Sequence, residues 1–544
     1  MRCKSVIATL FFCMLFSIFL QSVDAKSTHE TGAVTFFYEA NTEQEYESVR
    51  LIEANLSGLF DEVIMQTFEE AYVPIQTDLV VGFVQNVETL DYALLKQNLK
   101  NYNGPVIALG QFYKVAPQFP DWESKNYLPV HTIANLTLNS LTMLHHVQVD
   151  KNSQVLNYAI GYNEEIPLIV QHNEHRALFL EHYTQLDAQI IMNNLFTLYS
   201  GKYENSKHPS YIIVEHINPL TDIEKLTEVA NELINRNIPI LLSISSIYTN
   251  NELKTSATLS DSDPLVRLLI ELQRQGAIII VNDYIDYDID AMNYGVNTEQ
   301  AFTVFNRNPG QSTSQLNEQQ TRLNGKENFS TAIQILVQKN LLPSAFYNQN
   351  GRLFQADYLE MADYTSTFFG KLSLAGDASG ENQGPLFISN PNLLNRQKLF
   401  PITLSPPQDQ YDNPLLTMKN EIERVMQVDN AVLSTTFSMY DELSTLSAIL
   451  STIENVPNMY WYDFQQEPFL IHTDKFQVEN MEGIYKVQSS WTTIDELKWR
   501  FRDRPLEIVL WVLVFLPIGF VVLFTGNIFF LRLRYRKNLF EERT

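Results

Sequence analysis

Cysteine is almost absent. The 544-residue chain has two, Cys3 and Cys13. Both lie in an N-terminal stretch where Arg2 and Lys4 precede an uncharged apolar run, residues 6–20, and Val23-Asp24-Ala25 then offers small residues at the cleavage positions. That pattern predicts a secretory signal peptide over residues 1–25. The competing reading is an uncleaved membrane anchor. The exported remainder has no disulfide, no lipobox cysteine for lipoprotein anchoring and no thiol nucleophile. Exported proteins can use disulfides but need not, and a long ectodomain buries enough apolar surface without them.

Basic residues are also scarce. Lys and Arg number 38 against 63 Asp and Glu, for a net charge of −25. Part of that basic charge sits in the C-terminal tail, so the exported part is more acidic still. A surface of this sign excludes nucleic acid as a partner. It suits a cationic partner, for example a partly de-N-acetylated amino-sugar polymer. The plainer reading is solubility, as for many acidic exported proteins. Several motifs are missing as well. No G-x-G-x-x-G follows the first strand, and there is no Walker A sequence and no G-x-S-x-G elbow. Dinucleotide binding and glutaminase chemistry are therefore not expected.

One long apolar run is present. Residues 508–531 carry no charge and suffice to cross a hydrocarbon core of ~30 Å. Trp511 suits one interface. Arg532, Arg534, Arg536 and Lys537 follow at once, which favours the cytoplasmic side for that end. Lys498, Arg500, Arg502 and Arg504 on the other flank weaken this charge argument. The signal peptide decides it: the soluble part is exported and the tail, 532–544, stays inside, giving a single-pass cell-membrane protein.

Between the ends, residues 26–200 alternate strands (33–38, 79–84, 105–109) with helical patterns (43–59, 90–102). This predicts a Rossmann-like or amidotransferase-like module with a β-rich insert at 135–181. His145, His146, His172 and His175 fall here, and His182 just beyond. His172 and His175 make a motif one residue short of H-x-x-E-H, and no third ligand is evident, so they are read as ordinary surface or core residues. The polar stretch 201–210 marks a boundary.

The second half is organised around two runs, 211–219 (Tyr-Ile-Ile-Val-Glu-His-Ile-Asn-Pro) and 277–290. Each begins as a β-branched run buried on both faces and then turns polar. A helix (222–237), a strand (238–246) and a second helix (263–275) lie between them, the pattern of parallel βαβ units. Polar residues at strand C-termini line the ligand crevice of such folds. Glu215, His216, Asn218, Asn282, Asp283 and Asp286 are thus expected on one rim. Further on, 330–339, 355–369, 416–427 and 439–453 read as helices. Residues 343–347, 401–404, 460–464 and 487–490 read as strands.

This block resembles the deacetylase-like domain of YdaL-type exopolysaccharide proteins, whose members read something like I-E-D-V-H-P-L-T-D and H-G-Y-T-H-Q. Here the matching runs are Val214-Glu215-His216-Ile217-Asn218-Pro219-Leu220-Thr221-Asp222 and Asn282-Asp283-Tyr284-Ile285-Asp286-Tyr287. The resemblance implies an α/β chain: a Rossmann-like N-terminal module, then a deformed (β/α) barrel of the polysaccharide-deacetylase type over 201–495, then the transmembrane helix. It places the family's metal-binding aspartate on His216 and its two metal-binding histidines on Asn282 and Asp286. A later P-H-Y falls on Ala356-Asp357-Tyr358, and a late H-P on Ser438-Met439. The frame is kept and the ligands are replaced.

Two readings follow from the resemblance. In the first the rim is metal-free and binds sugar through Asn218, Asp283, Tyr284, Asp357 and Tyr358. The protein is then a non-catalytic polysaccharide-binding or scaffold subunit beside a membrane polysaccharide synthase or exporter. In the second it is an active carbohydrate N-deacetylase with a divalent metal on substituted ligands, with Glu215 and His216 as catalytic groups. A glycosidase using paired carboxylates such as Glu215 and Asp286 is a weaker third. Tyr287 and Tyr294 are further candidate sugar platforms, ordinary packing being the alternative. The acidic run Asp286-x-Asp288-x-Asp290 resembles a calcium loop, but Ala291 and Asn297 stand where Gly and Glu are needed. It is read as a solvated loop.

Overall fold

The computed structural model describes residues 32–541 apart from 88–90, 201–206, 251–254, 283–325, 349–351, 375–383, 408–413, 496–504 and a few single or paired positions. The expectations for the signal peptide, for Asp283, Tyr284, Asp286, Tyr287 and Tyr294, and for the acidic run 286–290 lie outside the described residues.

The chain first alternates β1 (Ala33–Tyr38), α1 (Glu43–Leu59), β2 (Glu62–Thr67), β3 (Thr77–Val84), α2 (Ala93–Leu99) and β4 (Val106–Gly110). Helix α1 starts where Thr42 caps the N–H of Glu45 and the Glu45 carboxylate returns to the N–H of Thr42, a reciprocal capping box. Strands β5 (Glu123–Ile133), β6 (Leu136–Gln148), β7 (Gln154–Ile160), β8 (Glu165–His172) and β9 (His175–Leu178) follow. All nine form one sheet, in the order β2-β1-β3-β4-β9-β8-β7-β5-β6. The first five positions in that order are parallel, and β9 meets β8 antiparallel. The β-rich segment expected as an insert is therefore continuous with the α/β sheet, because β9 pairs with both halves. Helix α3 (Leu186–Ser200) packs beside α1, with Asn55 Nδ2 donating to Gln189 Oε1 at 3.1 Å and Asn193 Nδ2 donating to Asn55 Oδ1 at 3.1 Å.

The chain then builds a second sheet as it runs through β10 (His208–Ile217), α4 (Ile223–Asn235), β11 (Leu241–Ile244), the hairpin β12 (Ile247–Asn250) and β13 (Thr255–Thr258), α5 (Asp263–Arg274), β14 (Ile278–Val281), α6 (328–338) and β15 (Pro343–Asn348). It continues with β16 (Arg352–Leu353), α7 (Gln355–Met361), β17 (Thr367–Gly370), β18 (Ser373–Leu374), β19 (Lys398–Pro401), α8 (Pro414–Val425), β20 (Leu433–Ser438), α9 (Leu443–Glu454) and β21 (Met459–Trp461). The parallel order is β19-β17-β15-β14-β11-β10-β20, with β21 beside the start of β10. Two strand pairs are separate from this sheet, β12 with β13 and β16 with β18. Just past β19, the N–H groups of Thr403 and Leu404 donate to Ser434 O on β20 at 3.3 and 2.9 Å. The sheet thereby curls into a nearly closed barrel.

Alternation along the strands separates two cores. Ile212 and Val214 of β10 face outward with the amphipathic stripe Leu226, Val229, Ala230 and Leu233 of α4. Tyr211 and Ile213 face inward with Leu241, Ile280, Ala345, Phe369 and Phe400. Phe369 and Phe400 stack at 4.8 Å. Phe464, which follows β21, fills the end where the strands begin. Each buried ring contributes about 1.5–3 kcal/mol of transfer free energy. The interior is therefore a packed, largely aromatic and aliphatic core, in which Tyr211 and Ser434 donate their hydroxyls to Pro401 O.

The expected helix 355–369 ends at Met361 and the chain returns as β17. Strand β20 (Leu-Ser-Thr-Thr-Phe-Ser) had no apolar run to announce it. Its Ser434, Thr435 and Thr436 are buried in the barrel wall.

A three-stranded antiparallel sheet follows: β22 (Phe469–His472), β23 (Phe476–Met481) and β24 (Ile484–Ser489). Helix α10 (Pro505–Glu541) contains Val512–Leu533, long and apolar enough to cross a membrane, with none of it buried against the rest of the protein.

Candidate functional site

The site grows out of an irregularity in β10. Its pairing with β11 shifts register between Val214 and Ile217, and His216 adopts φ +63°. This bulge breaks the alternation at His216 and Ile217. Glu215 keeps the inward side and reaches into the barrel mouth. His216 is released toward β20, while Ile217 returns to the outer core.

Glu215 is 8% exposed. Tyr347, three strands away on β15, donates its hydroxyl to Oε2 at 2.9 Å, and Thr436 on the adjacent β20 donates to Oε1 at 3.1 Å. Burial pushes the carboxyl up to about 7, and these two hydrogen bonds only partly oppose it. Glu215 thus titrates near neutrality inside the mouth.

His216 Nδ1 lies 2.9 Å from Ser438 Oγ and 3.9 Å from Glu215 Oε1. The same Ser438 Oγ accepts from the N–H of Tyr440 at 3.1 Å, which leaves its own proton for Nδ1. Burial holds the imidazole down to about 4, so it is neutral at pH 7. The ring packs against Tyr440, 5.0 Å between centroids and tilted 38°. Tyr440 is 52% exposed and forms an aromatic face at the lip of the mouth.

Asn218 is buried. Its Oδ1 accepts from the N–H of Leu220 at 2.9 Å, shaping the turn that leads into α4. Its Nδ2 lies 3.4 Å from Tyr440 Oη. Asn282, at the end of β14, accepts from Ser245 Oγ at 2.6 Å. The described part of the expected rim (Glu215, His216, Asn218 and Asn282) therefore lies at one end of the barrel, on the ends of β10 and β14.

Asp357 and Tyr358 lie elsewhere. Both are buried on α7. Tyr358 packs edge-on to Phe368 at 5.5 Å, and the Arg50 guanidinium of α1 sits 4.3 Å above its ring. Its hydroxyl donates to Lys371 O at 3.3 Å. Both faces are covered, which corrects the expectation that Tyr358 offers a sugar platform. Tyr358 locks the N-terminal module onto the barrel instead. The platform that is exposed, Tyr440, escaped the sequence reading, as did Tyr347, Thr436 and Ser245. An aromatic two residues beyond a strand end was the available signal for Tyr440.

Asp286, the third position that the resemblance marks as a metal ligand, lies outside the described residues. Among the described residues no three His, Cys, Asp or Glu side chains converge to hold one. An amide stands at Asn282, already bonded, and His216 Nδ1 is engaged by Ser438. A cleft of about 650 Å³ is lined by Ile422, Met426 and Val456, and by none of these groups.

No family model matches the chain. It is similar to the "Uncharacterized protein YdaL" of Bacillus subtilis (strain 168), at 25% identity over 356 residues, covering 61% of this chain and 63% of that one. The chain thus spans less than two thirds of that relative's length. Among solved structures, a putative ThuA-like protein from Bacteroides uniformis ATCC 8492 aligns at 9% identity and a TM-score of 0.21, over 29% of this chain and 86% of that one.

Proposed function

We propose that the protein is a membrane-anchored, extracytoplasmic subunit that binds or scaffolds a surface polysaccharide during its synthesis or export, without catalysing a reaction on it. In this reading α10 anchors the chain beside a membrane synthase or exporter, and the basic tail stays in the cytoplasm. The observation that carries it is the state of the two described positions that the resemblance marks as metal ligands. His216 and Asn282 are each tied to a neighbouring hydroxyl, from Ser438 and Ser245. Polar groups bonded in this way, beside the exposed ring of Tyr440, suit a binding mouth: a few placed polar groups and an aromatic face.

A second reading, hydrolysis by a carbohydrate N-deacetylase with replaced ligands or by a glycosidase, draws on Glu215. A buried carboxyl at about 7 is suited to general acid–base work.

Metal content separates the binding reading from the deacetylase. The detergent-solubilised full chain is incubated with zinc, cobalt, manganese or calcium, freed of excess ion and analysed beside His216→Ala. The binding reading expects no stoichiometric metal in either protein. Stoichiometric transition metal that the substitution removes would overturn it and direct work to deacetylase assays.

A further inference from the structure

The N-terminal sheet has a polar crevice of its own. In the order β2-β1-β3-β4 the connection from β1 leads to β2 on one side and that from β3 leads to β4 on the other, so the sheet has its topological switch point between β1 and β3. Ligands of open α/β sheets bind at that point, outside the strand C-termini. Here the chain just past β3 supplies Gln85, the chain past β4 supplies Gln111, and the chain past β9 supplies Glu181 and His182.

These side chains are wired together. Gln85 Nε2 donates to Glu181 O at 2.8 Å and lies 2.7 Å from His182 Nδ1. The carbonyl fixes which way the amide points, since only the NH₂ can donate to it. His182 Nδ1 must then accept, so its proton is on Nε2, 3.7 Å from Glu181 Oε2. Tyr127 donates to Gln85 O at 3.0 Å and receives Gln111 Nε2 at 3.0 Å, and Lys114 Nζ donates to Gln111 Oε1 at 3.0 Å. Glu181 and His182 remain about a quarter exposed, at 25% and 28%. The crevice thus presents an imidazole N–H and a carboxylate to solvent over a rigid base.

Its charge is one-sided. Glu39 is held above the usual carboxylate range by burial and by Glu69 and Glu45, and His182 feels both Glu181 and Glu45. Lys114 is the cation of the network, and it is engaged by Gln111. The N-terminus of α1, the usual anion site of such folds, is filled by the chain's own Glu45 carboxylate. An anionic ligand is therefore disfavoured and a cationic polyol favoured.

We infer that this crevice, formed by Gln85, Glu181 and His182, is a second saccharide site, selective for a sugar unit bearing a free amine. The inference rests on the polysaccharide reading above and names the sugar chemistry a second module would grip. The amine pairs with Glu181, and the hydroxyls meet His182 Nε2–H and the side-chain carbonyl of Gln85.

The test is calorimetric titration of the full chain in detergent with glucosamine tetrasaccharide and with its N-acetylated counterpart. The proteins are wild type, Glu181→Gln, His182→Gln and the barrel variant Tyr440→Ala. Glu181→Gln is isosteric at a partly exposed position, and circular dichroism confirms its fold. Expected is a loss of at least ten-fold in affinity for the free-amine oligosaccharide in Glu181→Gln, with the acetylated one little changed. His182→Gln should weaken both. Wild-type affinity for the amine form in Glu181→Gln, or no binding of that form by wild type, overturns the inference. Loss in the crevice variants with no effect of Tyr440→Ala would keep the crevice and sink the barrel-mouth reading instead.

Discussion

Tyr347 donates its hydroxyl to Glu215 Oε2 at 2.9 Å across the barrel mouth, from a strand that is not a neighbour of the one bearing Glu215. The bond ties opposite walls of the ring together over an apolar interior. It also leaves a carboxyl where burial keeps it near neutrality.

That position sets a pH signature. Glu215 rises from 4.5 to about 7 on folding. The folded protein holds this proton more tightly than the unfolded chain, so the associated stability is full below about 4.5 and lost as pH rises through about 7. His216 falls from 6.5 to about 4, so its contribution is present above 6.5 and lost as pH falls toward 4. The melting temperature of Glu215→Gln relative to wild type should therefore climb between pH 5 and pH 8. That of His216→Asn relative to wild type should climb between pH 7 and pH 4.5. Differences that do not vary with pH, or that share one sign, contradict this assignment.

The bulge makes a second prediction. His216 occupies left-handed backbone, φ +63°, which costs a residue with a Cβ about 1–2 kcal/mol. Both His216→Gly and His216→Ala lose the Ser438 and Tyr440 contacts. Urea unfolding should nevertheless find the glycine variant the more stable by about 1 kcal/mol. Equal stabilities would mean that the backbone relaxes when the imidazole is removed.

Arg50 and Tyr358 join the two modules. Arg50 is fully buried, and among the described residues no oxygen lies within good hydrogen-bonding geometry of its guanidinium nitrogens. The ring of Tyr358, 4.3 Å away, faces its charge. A desolvated cation–π pair is worth about 2 kcal/mol. A double-mutant cycle with Arg50→Met and Tyr358→Leu should return a coupling of that order. The same Arg50→Met change should raise Glu53 further above about 7, because Arg50 now opposes the effect of its burial. A coupling near zero would mean that packing alone holds the seam.

The span Val512–Leu533 should behave as an anchor. Phe520→Arg places a charge near its middle at a cost of about 2.5–3.5 kcal/mol, and should increase the fraction of chain recovered outside the membrane pellet. Unchanged partitioning would indicate that another segment holds the protein there.

Much of this was legible in the sequence because the chemistry was local. The β-branched runs before Glu215 and Asn282 announce buried parallel strands, and Asp222 caps the helix after β10 with bonds to the N–H groups of Glu224 and Lys225. The apolar run near the C-terminus is visible by length alone. What escaped depended on partners distant in sequence. Ser434, Thr435 and Thr436 of β20 look like a loop until the neighbouring strands bury them. Tyr358 reads as an aromatic beside a rim until Arg50, more than three hundred residues earlier, is found on its ring. The register shift that frees His216 exists only once β10 and β11 are paired.

The most direct measurement is binding of oligosaccharides from an exopolysaccharide hydrolysate to the full chain in detergent, before and after exhaustive chelation, for wild type and Tyr440→Ala. The account predicts binding that survives chelation, weakens at least ten-fold in Tyr440→Ala and releases no acetate. Binding indifferent to Tyr440→Ala, or acetate release that chelation abolishes, would contradict a metal-free binding mouth.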